Sequence, residues 1–280
     1  MTVSYQCVLV DEDRGVGVVT LNRPERMNAF TERLGLELRH AIAAFDVRDD
    51  IRAIVVTGAG RAFCAGADLE AGGDTFRGGA SEERRHLARA LAPATDREPW
   101  EMHTPIIAAI NGAAVGVGLT LTMQWDMRIA AEDAKLGFAF NRRGVIPELG
   151  SQWLVPRLVG VSRGLELLLT GKLVRGREAA EMGLVSTAVP ATDVLPTALA
   201  LAHDIATNVA PVSAAIVKRL VYRFLEETDR KGAQRLEGKL FAWTATQDDA
   251  KEGPVAFLEK REPDWKLAKY ADFPDEVFES

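Results

Sequence analysis

Residues 105–121, PIIAAINGAAVGVGLTL, and residues 51–69, IRAIVVTGAGRAFCAGADL, share one grammar. Each opens as a short apolar run, passes through a glycine-rich turn, and continues with helix-like spacing. Short β-branched runs of this kind read as buried strands. Two strand–turn–helix units in one chain place it among α/β proteins. The second unit poses a question. From Asn111 to Trp125 it holds no acid, base or nucleophile stronger than a threonine.

Outward from these units the pattern continues. YQCVLVDEDRGVGVVTLN reads as a hairpin around DEDRG, and RPERMNAF as a loop. TERLGLELRHAIAAFDV sets Leu34, Leu38, Ala41, Ile42 and Phe45 at helical spacing, with Thr31 as N-cap. Residues 71–100 are polar and glycine-rich, with a helix in SEERRHLARALA, and form the segment expected to move. MRIAA and AKLGFAF read as strands. SQWLVPRLVG, SRGLELLLTG and GREAAEMGL read as short helices closed by glycine. VSTAVP is a last strand, and from about residue 192 the chain reads as all-helical. In PVSAAIVKRLVYRFLEET, Ile216, Val217, Leu220, Val221 and Phe224 form one apolar stripe, with Lys218, Arg219 and Arg223 off it.

Composition sets outer bounds. The chain has 280 residues, 47% hydrophobic, enough for one large domain with a smaller appendage. A net charge of −6 argues against nucleic acid as a partner. No apolar run approaches the length of a membrane span, and MTVSYQCVLVDED lacks the features of a secretory signal. Cys7 and Cys64 are the only cysteines, which suits a reducing, cytoplasmic setting better than a disulfide framework. The four histidines show no metal-ligand spacing, so no metal site is expected.

Two readings of the glycine units stand side by side. A helix N-terminus offers unpaired backbone N–H groups, and two such ends facing one point make an oxyanion hole. Close packing of strand against helix also demands glycine. The repetition of the unit favours the first. Neither G-x-G-x-x-G nor G-x-x-x-x-G-K-[ST] is in phase, and G-x-S-x-G is absent, so nucleotide-loop and serine-elbow readings fail. Cys64, with no evident basic partner, reads as a small core residue.

RAFCAGADL (61–69), HTPIIAAINGAAVGVGL (103–119) and FAFNRRGVIPELGSQWLVPRLVG (138–160) resemble the enoyl-CoA hydratase/isomerase (crotonase) superfamily. NRPERMNAF near the start and AFLEKREP near the end fit the same family, in the same order. The resemblance implies a spiral of ββα units over about residues 1–195, followed by a helical trimerisation region over 196–280. It implies an acyl-CoA substrate, no cofactor beyond the coenzyme A that the substrate carries, and a homotrimer or dimer of trimers. The thioester carbonyl would lie between the N–H groups of Ala67 and Val117. The family often has glycine at the second position, so a β-branched valine is a departure.

A larger departure concerns acids. The family's hydratases carry two glutamates, and the resemblance puts those positions at Thr120 and Phe140, neither of which moves protons on a thioester. Glu148, in GVIPELGS, stands where some isomerases of the superfamily carry a single catalytic carboxylate. One base suffices to take a proton at C2 of a 3-enoyl thioester and return it at C4. The plainer alternative for Glu148 is an acidic residue favoured before a helix. Hydratase, other lyase or hydrolase, and non-catalytic acyl-CoA binding remain the rival readings. For coenzyme A, the resemblance points to Arg26, Met27, Ala65, Asp68 and Leu69, and to Phe257 and Lys260 reaching in from a neighbouring subunit. A lysine at a phosphate is sound chemistry, and a solvated lysine on an end helix is the alternative. Asp68 also reads as a loop-bonding residue and Asp126 as a helix–strand junction. Glu70, Asp74, His86, Arg142, Arg143 and Trp153 are expected around the pocket or simply in solvent.

Overall fold

The β-branched runs pair, and the glycine turns between them decide where each strand goes. The computed structural model describes residues 4–70, 72–77 and 82–279. Strands β1 (Val8–Asp13) and β2 (Val16–Leu21) form the predicted hairpin, Asp13 opposite Val16. Its two-residue turn is left-handed at both Arg14 (φ 47°) and Gly15 (φ 79°), the geometry that matches strand twist. Helix α1 (Glu32–Asp46) starts at Thr31, whose hydroxyl accepts the Leu34 N–H at 3.3 Å, and buries the predicted stripe. Next come β3 (Ala53–Gly58), β4 (Ala62–Cys64), α2 (Glu82–Ala90), β5 (Ile106–Ile110), β6 (Ala113–Val115), α3 (Val117–Met123), β7 (Met127–Ala131) and β8 (Lys135–Gly137). The chain continues through α4 (Ser151–Val159), α5 (Val161–Thr170), β9 (Val174–Arg175), α6 (Gly176–Glu181), β10 (Thr187–Val189) and α7 (Val194–Asn208). It closes with α8 (Pro211–Phe224), α9 (Arg230–Ala245), α10 (Asp249–Glu259) and α11 (Asp275–Glu279). Residues 71 and 78–81 of the polar stretch expected to move lie outside the described residues.

Two sheets interleave. One has the order β1-β2-β3-β5-β7-β10 and is parallel beyond the first hairpin. The other has the order β4-β6-β8-β9. Each unit sends its first strand (β3, β5, β7) to the larger sheet and its second (β4, β6, β8) to the smaller. This is the expected spiral. The smaller sheet corrects the sequence reading, in which AGRAFCAGADL and GAAVGVG were loops and AKLGFAF was one strand. Its strands are two or three residues long, below the length at which alternation is visible.

The glycines explain how the sheets approach. A Cβ on Gly118 would meet the Cys64 carbonyl oxygen at 2.1 Å, and one on Gly112 would meet the Arg61 oxygen at 2.2 Å. Gly118→Ala is therefore expected to destabilise the fold by about 3 kcal/mol, the upper end of ordinary overpacking. Gly73, with nothing within 4 Å of its would-be Cβ, is the matched control and stays within about 0.5 kcal/mol. Urea midpoints of the two alanine variants check both. Two asparagines tie the turns. Asn111 holds Gly58 from both sides, accepting its N–H at 3.2 Å and donating to its carbonyl at 2.8 Å. Buried Asn28 donates to the Ala59 and Ala62 carbonyls at 2.9 and 2.8 Å.

The main core runs past residue 195. Helix α7 buries Val194, Ala198, Ala202 and Ala206, one face at four-residue spacing, across β2, β3, β5 and β7. A second cluster forms beyond it from Val212, Ala215, Ile216, Leu236, Leu240, Phe273 and Phe278. The α8 stripe is divided. Ile216 is buried, while Val217 and Val221 are 61% and 55% exposed. Lys218, read as off the stripe, is buried instead, because its ammonium meets Asp126 at 2.9 Å and the Thr104 carbonyl at 2.9 Å. Asp126 also accepts the Ile106 N–H at 2.6 Å, which makes it the junction residue expected. Among the described residues no single helix is long and apolar enough to cross a membrane.

Candidate active site

The glycine turns end side by side. Gly66 (φ 111°) and Gly116 (φ 56°) each precede a predicted donor, and a Cβ on Gly116 would lie 3.9 Å from the Gly66 Cα. Ala67 is bridged to Phe30 through its neighbours: Phe30 N–H donates to the Gly66 carbonyl at 2.7 Å, and Asp68 N–H donates to the Phe30 carbonyl at 2.9 Å. That pattern leaves the N–H of Ala67 itself without a partner among the described residues. Val117 is the first residue of α3, so its N–H has no carbonyl one turn back, and it too is unpaired among them. Both residues line one cavity of about 990 Å³. Unpaired N–H groups at such a site are uncommon, and two together mark a place for an acceptor oxygen.

The glycines of the two turns divide by what they do to the backbone. Gly112 and Gly118 serve close packing, and Gly66 and Gly116 turn the chain so that the next N–H is free.

Glu148 lies on the same cavity, in the turn before α4. Its side chain makes no hydrogen bond or ion pair among the described residues. Glu148 is exposed to solvent, and partial desolvation by the cavity wall raises its carboxyl above the usual glutamate range. The turn is strained: Leu149 is left-handed at φ 54°, and Gly150 follows at φ 66°. A leucine in that region costs about 1–2 kcal/mol, so neighbours must hold it. Gln124 does so, donating to the Leu149 carbonyl at 2.9 Å, and Gln152 donates to the Pro147 carbonyl at 2.5 Å. Gln124 caps the C-terminal end of α3. One helix therefore carries a free donor at its first residue and a clamp on the Glu148 turn at its other end.

The hydratase positions do no acid–base work. Thr120 is fully buried, and its hydroxyl donates back to the Val117 carbonyl at 3.3 Å. Phe140 is buried and walls the cavity, its Cε2 4.0 Å from the would-be Gly116 Cβ. Cys64 is a core thiol whose pKa burial pushes up to about 11.

The remaining predicted residues divide. Ala65, Asp68 and Leu69 line the cavity. The Ala65 N–H is already donated to the Met27 carbonyl at 3.1 Å, so it is not free for a ligand. Asp68 pairs with Arg23 at 3.0 Å and accepts the Glu70 N–H at 3.2 Å, the loop-bonding role. Arg26 and Met27 sit behind the Ala65 loop and do not line the cavity in this chain, and Arg26 is held by Glu70. Asp74 pairs with Arg77 at 3.2 Å, and His86 is exposed on α2. Arg143 reaches the cavity, while Arg142 donates to the Thr170 carbonyl at 2.7 Å. Trp153, expected as a wall, lies off the cavity with Arg157 stacked 3.9 Å above its ring. Phe257, 82% exposed, and Lys260, the left-handed residue ending α10, stand outside the cavity of their own chain.

The sequence reading missed Gln124, Arg39, Arg97 and Glu98, all on the cavity wall. Arg39 follows the buried Leu38 of α1, and a helical wheel extended to the edge of that stripe would have included it. Nothing local marked the other three. Among the described residues no group of three or more His, Cys, Asp or Glu is placed to hold a metal ion.

The comparisons agree with this geometry. The family model for enoyl-CoA hydratase/isomerase matches residues 11–268. A probable enoyl-CoA hydratase of Mycobacterium leprae is 36% identical, over 93% of this chain and 98% of its own. The 1,2-epoxyphenylacetyl-CoA isomerase of Escherichia coli is 34% identical, over 91% of this chain and 97% of its own. The crystal structure of a probable enoyl-CoA hydratase/isomerase from Mycobacterium abscessus superposes with a TM-score of 0.84 at 38% identity, covering 92% of this chain and 98% of that one. With the interleaved sheets and the paired free N–H groups, these matches show that the chain belongs to the enoyl-CoA hydratase/isomerase family and has its crotonase-type fold.

Proposed function

We propose that the protein isomerises a 3-enoyl-CoA to a 2-enoyl-CoA, with Glu148 as the single base and the Ala67 and Val117 N–H groups as the oxyanion hole. The observation that carries this reading is the pairing of an unpartnered Glu148 carboxylate with Thr120 and Phe140 at the hydratase positions. Glu148 takes a proton from C2, and the electron pair moves onto the thioester oxygen as a dienolate. The two N–H groups hold that charge, and the same carboxyl returns the proton at C4. The apolar face of Phe140 keeps water from the position where a second carboxylate would activate it. Coenzyme A enters as part of the substrate, and no other cofactor is required by the chemistry.

Hydration of a 2-enoyl-CoA, or another lyase or hydrolase step, is the second reading, favoured by the names of several relatives. Sequestration of an acyl-CoA without turnover is the third. The test offers the purified protein 3-enoyl-CoA and 2-enoyl-CoA in parallel. Formation of conjugated 2-enoyl-CoA without 3-hydroxyacyl-CoA supports isomerisation. Hydration from either substrate supports the second reading, and tight binding without turnover supports the third.

The same reading includes a homotrimer or a dimer of trimers in a reducing, cytoplasmic setting. Phe257, Leu258, Val217 and Val221 leave apolar surface open at 82%, 78%, 61% and 55%, as an unpaired interface does. In such an assembly Phe257 and Lys260 reach a neighbour's coenzyme A, whose adenine end follows Arg26 and Met27.

A further inference from the structure

We infer that the acyl end of the cavity is built for a negative charge, so that the preferred substrate is an acyl-CoA bearing a carboxylate remote from its thioester. The inference rests on the acyl-CoA reading above and adds the substrate class.

Helix α1 gives the cavity a direction. Its stripe Thr31, Gly35, Leu38 and Ile42 lines the wall, about 16 Å of helix. The start of the helix is fixed at the oxyanion hole by the Phe30–Ala67 bridge. Its other end is fixed elsewhere. Asp46 accepts the Thr104 N–H and hydroxyl at 2.8 and 2.9 Å, and Asp49 accepts the Tyr270 N–H at 2.7 Å. Arg97 stacks 5.0 Å above the Tyr270 ring, so it belongs to this far end. Arg39 is about 13 Å along the helix axis from Phe30.

Both arginines line the cavity and neither has an anionic partner among the described residues. One terminal nitrogen of Arg97 is buried with no hydrogen-bond acceptor among the described residues. A buried guanidinium N–H without an acceptor is unfavourable unless a ligand supplies one. Arg219 adds to the local positive field, with its guanidinium 4.9 Å over Phe273 and an ion pair to Asp275 at 3.6 Å. Four acids line the same wall. Asp68 is held by Arg23, Glu32 stands at the start of α1 beside the hole, Glu148 faces the site without a partner, and Glu98 forms no ion pair with Arg97. Leu36 of α1 lies between hole and Arg39 along the helix, and Ile42, Met102 and Val145 add further apolar wall. Methylenes fit that stretch, and a carboxylate fits the guanidinium fork beyond it.

The phosphates of coenzyme A are a second source of the same charge, so the test uses three ligands: coenzyme A, octanoyl-CoA, and the coenzyme A monothioester of octanedioic acid. All are saturated and unreactive, and affinities are read by calorimetry. The wild-type protein is expected to bind the carboxylated ester about 10- to 100-fold more tightly than octanoyl-CoA. Arg97→Gln and Arg39→Gln are each expected to shrink that ratio towards one. Equal affinity of the two esters for the wild-type protein overturns the inference without any variant. An equal loss of affinity for coenzyme A and for the carboxylated ester in the variants also overturns it, by assigning the arginines to phosphate. Failure of both esters to bind overturns the acyl-CoA reading itself.

Discussion

Glu148→Gln is expected to lower turnover by about 100- to 10,000-fold while leaving acyl-CoA affinity nearly unchanged, since the loss is that of a general base. The substitution keeps shape and removes only the ability to accept a proton. The Pro147–Gly150 turn should survive it, because the turn is held through backbone carbonyls by Gln124 and Gln152 and not through the carboxylate. The pH profile supplies a second check. Desolvation raises the Glu148 carboxyl, and the base works only when ionised. Activity therefore falls as pH drops through a value above the usual glutamate range, and the acidic limb of kcat/KM should lie there. In the glutamine variant that limb disappears. Full activity in the variant would sink the assignment of the base.

Val117→Pro is expected to reduce kcat by about 100- to 1000-fold, the ordinary loss on deleting one oxyanion donor. Proline is the one residue that removes the N–H, and this position tolerates it. Val117 is the first residue of α3, where proline is favoured because no intrahelical bond is lost. The preceding residue must also accept a following proline. Gly116, at φ 56° and ψ −126°, lies in the mirror image of the extended region that proline prefers before it, which glycine adopts freely. The variant should fold with a thermal midpoint close to that of the wild-type protein. A folded Val117→Pro with unimpaired kcat would show that the oxyanion lies elsewhere.

Much of this site was legible because its parts are local. A strand, a glycine turn and a free N–H occupy about ten consecutive residues, so 51–69 and 105–121 announce both donors. Thr120 and Phe140 were legible as departures, since a missing acid is visible wherever a motif fixes its place. The smaller sheet was not legible, because its pairing depends on glycines whose partners are carbonyls some fifty residues away. Arg97 and Gln124 were missed for the same reason. Their meaning comes from Tyr270 and Leu149, and no spacing along the chain records those encounters. The burial of Lys218, placed off the apolar stripe, was not legible, because a charge on a helix edge looks the same whether or not an aspartate waits beneath it.

The interleaving of the sheets has a consequence for how such a protein diversifies. The paired donors are spaced by strands β4 and β6 and by the asparagine ties, all inside the buried framework. Thr75, Phe76, Arg97 and Met102, which wall the cavity, come from the connection between β4 and β5. Past Ala67, which the Phe30 bridge anchors, that connection can lengthen, shorten or change charge without moving either donor. The shape of the cavity wall and the placing of the two free N–H groups are thus mechanically independent, and the wall can vary with that pair left standing.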